Sequence, residues 1–311
     1  MNIGILAGLM LATVLLYVSY RLGGSWEFAL KLRLTKVMAM LVVACCVAFS
    51  SIAFQTITGN RILTPSIMGF ESVYLLLQTL LVFVYGDRTF HVLSSLDNYL
   101  LSIGCMILFA FLLYLLIYKK GRDNMYLLLL IGLVLGILFN TLSSFMQLLI
   151  DPNDFFIVQG KMFASFNKIN EGLLWYSAGI LAVVLAVGMA LTRYLDVIAL
   201  GRDQAISLGL NYNRMIRVFL VLIAIMVSVS TALAGPVTFL GLLVSNLTYE
   251  LVRTYRHRMI ITACCLVSVI TIVGGQLLME QVFNLSTPIS TIINFIGGLY
   301  FLYLMLRIKK L

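Results

Sequence analysis

The sequence predicts an all-α polytopic membrane protein, and three observations carry that prediction. Of its 311 residues, 62% are hydrophobic and only 11% charged, and its mean hydropathy is +1.06; soluble chains carry about a quarter charged residues. Its apolar residues fall in runs long enough to cross a bilayer, about 20 residues for roughly 30 Å of hydrocarbon. In lipid every backbone polar group must be bonded within the protein, which favours bundled helices. Finally, a polar island with two glycines, from Ala199-Leu200-Gly201-Arg202 through Leu208-Gly209 to Arg217, separates two long apolar stretches. Such an island is where an embedded chain meets a soluble partner.

Taken in order, apolar runs bounded by charges, Gly, Pro and Asn give ten candidate transmembrane helices: 3–20, 36–57, 66–86, 99–118, 125–148, 173–192, 215–234, 237–252, 259–280 and 288–306. The first lacks the basic start and small-residue cleavage site of a signal peptide and is long enough to span, so it is kept as a helix of the mature chain. The eighth is the weakest. It carries Asn246, Thr248 and Glu250, and the Gly235-Pro236 pair before it leaves almost no loop, which predicts a broken or tightly turned helix. An even count puts both termini on one side. With the termini inside, all of the 21 basic residues except Arg21, Lys31, Arg33, Lys36, Arg88, Lys161 and Lys168 lie on the inner side, so the positive-inside rule makes both termini cytoplasmic.

Two outer segments break the simple pattern. Residues 20–36 concentrate Arg21, Lys31, Arg33 and Lys36 on the disfavoured side, either because a partner there needs positive charge or because these side chains snorkel to lipid phosphates. Farther on, the turn Asp151-Pro152-Asn153-Asp154 leads into the apolar run 155–163, too short to span and too apolar for a free loop. It predicts a short re-entrant or interfacial helix. Gly4 with Gly8, and Gly132 with Gly136, have the spacing that lets helices approach closely, and packing within the chain is its ordinary use. The whole chain, 1–311, reads as a single transmembrane domain without a soluble one.

Much chemistry is missing. There is no Gly-x-x-x-x-Gly-Lys-[Ser/Thr] phosphate loop, no His-Glu-x-x-His helix and no nucleophile elbow, which argues against a nucleotide site or a hydrolase on this chain. Cys45, Cys46, Cys105, Cys264 and Cys265 lie inside apolar runs with no zinc-like spacing, and read as buried, inert thiols. A proton- or ion-coupled carrier needs an ionisable group deep in the bilayer. Glu71 is the candidate, about one and a half turns into its helix, with a buried, hydrogen-bonded carboxylate as its plainer role; Glu171, Glu250 and Glu280 lie nearer the interfaces. His91 and His257 fall in polar or basic loops, where a solvated histidine is the ordinary case. The 15 methionines and 19 phenylalanines suit core packing, or the lining of a path for a bulky, partly aromatic solute.

Ordered blocks over nearly the whole chain carry a resemblance. Ala199-Leu200-Gly201, Ala205 and Leu208-Gly209 resemble the cytoplasmic coupling segment of the FecCD/BtuC family, the permeases of iron-siderophore and vitamin B12 ABC importers. Gln55 through Asn60, then Leu63, Pro65 and Gly69, is similar to that family's early Gln…Asn-Pro-Leu…Pro…Gly stretch. Leu32-Arg33-Leu34-Thr35-Lys36 looks like its Leu-Arg-Leu-Pro-Arg, and the run from Ala234-Gly235-Pro236 to Phe239-Leu240-Gly241-Leu242 looks like its Ala-Gly-Pro-Ile-x-Phe-x-Gly-Leu. There are departures: Ser245-Asn246 stands where the family usually has Pro-His, Arg61 for a Pro, Ser290 for a Gly and Leu299 for a Pro. That combination resembles the second permease of iron-chelate systems that encode two.

The resemblance implies a type II ABC importer permease with the BtuC-like fold. It implies a heterodimer with a paralogous permease around a central path, two ATPase subunits that hold ATP and magnesium, and an extracytoplasmic siderophore-binding protein, at the bacterial inner (cytoplasmic) membrane. This chain would bind no cofactor, metal or nucleic acid and catalyse no reaction. Leu200, Gly201, Arg202, Ala205, Leu208 and Gly209 would form the coupling helices 199–213 between the sixth and seventh helices of the span list, a short lever in a groove of the ATPase, with Ala205 keeping one face flat. Arg33 and Lys36 match the docking cations, which would meet acids on the binding protein. Gln55, Asn60, Pro65, Gly69, Ser165, Gly235, Pro236, Phe239 and Gly241 fall to the translocation path and its gates. The implied cargo is a ferric siderophore, catecholate first, with haem or vitamin B12 behind it. The competing readings are a secondary transporter that uses Glu71, and an intramembrane enzyme or purely structural subunit.

Overall fold

One helix organises the rest. In the computed structural model, which describes residues 3–20, 26–86, 93–118, 125–167, 169–283 and 288–308, α2 (Trp26–Thr58) has 33 residues, about 50 Å of helix against a hydrocarbon layer of about 30 Å. Its middle is Val-, Ala- and Phe-rich, and Met40, Phe49, Ile52 and Phe54 are fully buried. Small alanines let neighbours close in on every side, so this helix forms the bundle's axis rather than a lipid-facing wall.

Around it run α1 (Ile3–Ser19), α3 (Phe70–Tyr85), α4 (Ser95–Tyr118), α5 (Met125–Gln147), α6 (Pro152–Met162), α7 (Glu171–Ala190), α8 (Thr192–Ile198), α9 (Arg202–Ser207), α10 (Tyr212–Ala234), α11 (Leu240–Leu251), α12 (His257–Gln281) and α13 (Ile289–Ile308). Helices α10, α12, α11, α7, α8 and α1 all pack on α2, while α3, α4 and α5 form a second group joined to it through α10. Among the described residues α2, α4, α5, α7, α10 and α12 are long and apolar enough to cross a membrane, and α1, α3 and α13 supply shorter apolar stretches. Exposed Leu, Val and Phe side chains on α5 and α7, such as Ile137, Phe145, Trp175 and Val183, fit a lipid environment or a subunit contact.

Each predicted stretch meets a helix, but three boundaries move for physical reasons. The stretch predicted from 36 begins at Trp26, because hydropathy registers only the part of a helix that lies in hydrocarbon and the remaining turns carry Glu27, Lys31 and Arg33. The stretch predicted from 66 begins as a helix only at Phe70. Before it, residues 59–69 run without α-helix apart from a 3-10 turn, Pro65–Met68, and Gly69 adopts φ +85°. Glu71 therefore lies in the first turn of α3, not one and a half turns in. The stretch predicted at 237–252 is, as its polar content and Gly235-Pro236 demanded, a helix of only 12 residues. The segment predicted as a short re-entrant or interfacial helix forms the short helix α6, whose first turn is capped by Asp151 accepting from Asn153 N at 2.9 Å.

Gly132 and Gly136 pack inside the chain. A side chain at Gly132 would meet Met68 O at 3.0 Å, and one at Gly136 would meet Gly69 Cα at 3.1 Å, so α5 closes directly on the 3-10 turn. All five cysteines are free thiols. Arg21, Arg88, His91, Lys119, Lys120, Arg122, Lys168, Lys309 and Lys310 lie outside the described residues.

Candidate coupling, path and docking sites

The polar island folds around one short helix, α9, with α8 just ahead of it and α10 starting at Tyr212, rather than as one continuous lever across 199–213. The reason is Gly201, with φ +102°, which breaks the helix, and Gly209, with φ +82°, which ends α9; L side chains disfavour both conformations. Leu210 N donates back to Ala205 O at 3.0 Å and closes the turn. Asn211 then caps α10 by accepting from Arg214 N. Leu200 and Leu208 are 57% and 65% exposed, and so is Ile206 at 50%, a residue the sequence pattern did not single out. Ala205 faces the other way. It is fully buried, where its small side chain lets α9 lie close to α8 and α10, so the flat face it provides serves the chain's own packing. The Arg202 guanidinium lies 6.0 Å from the Tyr212 ring.

Beside α8, a site appears that loop-based reasoning missed. His257 is the first residue of α12 and only 5% exposed, not a solvated loop histidine. Asp196 Oδ1 on α8 accepts from its backbone N at 2.8 Å and pairs with Nδ1 at 2.7 Å. Nε2 lies 2.9 Å from Thr56 Oγ1 at the end of α2. The signal was available only as three polar residues in three distant parts of the chain.

Directly after α2, the irregular segment 59–69 is stitched to α2 and α11. Gln55 Nε2 donates to Arg61 O at 2.7 Å and to Ser245 Oγ at 2.8 Å. Asn246 Nδ2 donates to Arg61 O at 3.1 Å, and the Arg61 guanidinium stacks 4.5 Å over the Tyr249 ring. Arg61, Ser245 and Asn246, three of the departures from the family pattern, thus form one cluster. Asn60 Oδ1 accepts from Ile62 N and holds the turn. Glu71 is engaged at both oxygens, by Ser66 Oγ at 2.9 Å and Thr238 Oγ1 at 2.7 Å. It borders a narrow polar cleft with Ser50, Ser51, Thr64, Ser230 and Thr231. Pro65 is buried and starts the 3-10 turn.

The Gly235-Pro236 break brings three segments together. Ser165 N donates to Ala234 O at 2.8 Å, and Gly235 abuts Phe163 and Ala164 with no room for a side chain. Ser290 Oγ accepts from Ala164 N, and Phe239 N donates to Asn294 Oδ1 on α13. Gly241 lets α11 touch Ser51 of α2. The predicted path residues Gln55, Asn60, Pro65 and Gly69 on one side, and Ser165, Gly235, Pro236, Phe239 and Gly241 on the other, are therefore neighbours linked through Glu71 and α11.

At the end of the bundle opposite the island, Arg33 and Lys36 have partners within the chain. Arg33 Nη1 donates to the carbonyls of Tyr17, Val18 and Tyr20, satisfying the open end of α1. Lys36 Nζ bonds Glu280 Oε1 at 2.9 Å, with the two side chains 19% and 14% exposed. Glu280 Oε1 also accepts from Tyr17 OH at 2.9 Å and Gln276 Nε2 at 2.8 Å. Lys31 is the exposed cation here, 3.7 Å from Glu171 with both side chains open to solvent.

A bundle of membrane-length helices wrapped on one central helix, with an apolar-tipped polar segment exposed at one end, is the architecture of a membrane-embedded protein. The chain belongs to the FecCD transport family, which matches residues 2–307. It is 46% identical over 310 residues to the petrobactin import system permease protein YclO of Bacillus subtilis, covering 100% of this chain and 98% of that one. It is 35% identical over 281 residues to the petrobactin import system permease protein FatC of Bacillus anthracis, covering 90% and 79%. The fold matches a solved chain described as an inward-facing metal-chelate type ABC transporter, with a TM-score of 0.86, 21% identity and 97% of each chain covered.

Proposed function

We propose that this chain is the permease subunit of an ABC importer that moves a ferric siderophore, first of all a petrobactin-type catecholate, across the bacterial cytoplasmic (inner) membrane. The observation that carries this reading is the end-to-end identity of 46% with YclO, a petrobactin import permease by name. In this reading the chain pairs with a paralogous permease, both have cytoplasmic termini, two ATPase subunits bind ATP and magnesium below, and a siderophore-binding protein docks outside. Exposed Leu200, Ile206 and Leu208 seat in the ATPase groove, and Gly201 and Gly209 let α9 tilt as a unit. Arg33 and Lys36 brace the outer end of the bundle where the binding protein lands. The cluster around Gln55, Asn60, Pro65 and Gly69, and the junction of Ser165, Gly235, Pro236, Phe239 and Gly241, line the path and its gates. The chain supplies no chemistry; it shifts between outward and inward states by the difference in its partners' affinity for each.

The test is purification of the tagged chain in detergent with identification of whatever co-purifies, followed by uptake of ferric petrobactin, haem and vitamin B12 into liposomes. Recovery of a second permease and an ATPase, with ferric petrobactin taken up in preference, is the expected result. A lone, ATPase-free chain that still moves solute would overturn it. Glu71 gives the secondary-transporter reading little support, since both its oxygens already accept hydrogen bonds from the chain.

A further inference from the structure

We infer that Asp196, His257 and Thr56 form a latch that carries displacement of the polar island into the central helix, an inference that rests on the ABC-permease reading above. Asp196 lies on α8, five residues before Gly201. Through one carboxylate oxygen it holds both the backbone N and the ring Nδ1 of His257, so it grips the start of α12 at two points. An ionised carboxylate only accepts, so Nδ1 carries a proton. On the far side of the ring, Nε2 meets Thr56 Oγ1, two residues from the end of α2.

The latch is a polar route to α2 from the helix that leads into the island. Ordinary apolar contacts also join α8 to α2 and α12, but such contacts slide, whereas one carboxylate oxygen that accepts from both a backbone N–H and a buried ring fixes distance and angle. The His257 side chain is 7% exposed while that of Asp196 is 39% exposed, so the fixed end of the latch lies in the bundle and its moving end at the surface beside the island. The single hydroxyl hydrogen of Thr56 has Nε2 at 2.9 Å and Ile52 O at 2.8 Å in reach, with the Tyr249 hydroxyl beside them. A shift of the ring therefore changes whether the Thr56 hydroxyl engages the ring or Ile52 O on α2, close to Gln55 and its bonds to Arg61 and Ser245. These residues position; none of them touches cargo or nucleotide.

The experiment uses the complete importer in liposomes, with solute moved per ATP hydrolysed as the readout and recovered complex as the control. Asp196→Ala and Thr56→Val are expected to assemble normally and keep ATPase activity while solute per ATP falls by about tenfold, the scale of losing one charge-assisted hydrogen bond. Asp196→Asn, which keeps an acceptor oxygen for both bonds, is expected to retain coupling. The pair Asp196→Ala with Thr56→Val is expected to do no more harm than either alone, since one chain of contacts is cut once. Unchanged solute per ATP in assembled Asp196→Ala complexes overturns the latch, as does a loss that only follows the amount of complex recovered. Failure of the unmodified chain to assemble with an ATPase would instead overturn the functional reading itself.

Discussion

Removing the charge from Glu280 strands an ammonium. Glu280 Oε1 takes three donors, from Lys36, Gln276 and Tyr17, at 2.9, 2.8 and 2.9 Å. The substitution Glu280→Gln keeps an acceptor oxygen for the two neutral donors but leaves the Lys36 charge, 19% exposed, without its partner. Breaking a fully buried pair costs about 3–5 kcal/mol, and residual contact with water lowers that here to roughly 2–3 kcal/mol. Lys36→Met alone leaves the carboxylate with two neutral donors and costs about 1–2 kcal/mol. With both changes no charge remains, and the cost falls to about 1 kcal/mol or less, since an ion pair replaced by neutral groups of similar volume is often near neutral. Thermal unfolding of the detergent-solubilised chain reads this out, at roughly 2–4 °C for each kcal/mol. The double variant should melt well above Glu280→Gln. Additivity of the two single losses to within about 0.5 kcal/mol would refute the pairing. So would a Lys36→Met variant that melts normally yet captures less binding protein, because the ammonium would then serve an external partner.

The remaining predictions concern the two irregular segments. No atom lies within 4 Å of a side chain's first carbon at Gly209, so its φ of +82° alone is the constraint. Gly209→Ala should cost about 1–2 kcal/mol in that turn and lower solute moved per ATP, with Gly209→Asn less affected; equal uptake by both variants and the parent would sink the lever. At Gly69, the left-handed φ and a contact of 3.0 Å to Gly136 Cα add together, and Gly69→Ala should destabilise by about 2–4 kcal/mol; an unchanged melting temperature contradicts the close approach. Glu71→Gln preserves size and one acceptor, so uptake should persist, and its abolition would revive an ion-coupled carrier.

The ten apolar runs were legible because lipid imposes a length and a polarity on each crossing helix, and that constraint writes itself into consecutive residues. The break at Gly235-Pro236 and the short α6 were legible for the same reason, as local departures from it. Where helices leave the hydrocarbon the signal stops, which hid the first ten residues of α2, and apolar content alone did not show that Pro65–Met68 is a 3-10 turn rather than the start of α3. Partners distant in sequence were hidden altogether: Lys36 read as a docking cation, Glu280 as an acid near an interface, and His257 as a loop residue. Exposure was no easier, since the same alanine pattern that marks the island does not say which way Ala205 turns.

Helix α3 has 16 residues, about 24 Å, less than the hydrocarbon thickness of about 30 Å. The chain that feeds it, 59–69, carries backbone groups that find their partners on α2 and α11, and α11 is made nearly two hundred residues later in translation. As the ribosome delivers it, α3 is therefore a poor client for insertion on its own. It must wait at the mouth of the insertion machinery or in a half-built bundle, and only arrival of the later helices turns it into a crossing. Truncation after α5 should leave a cysteine introduced into α3 open to a water-borne thiol label that the complete chain excludes, which makes assembly of this protein a matter of order in time as well as of hydropathy.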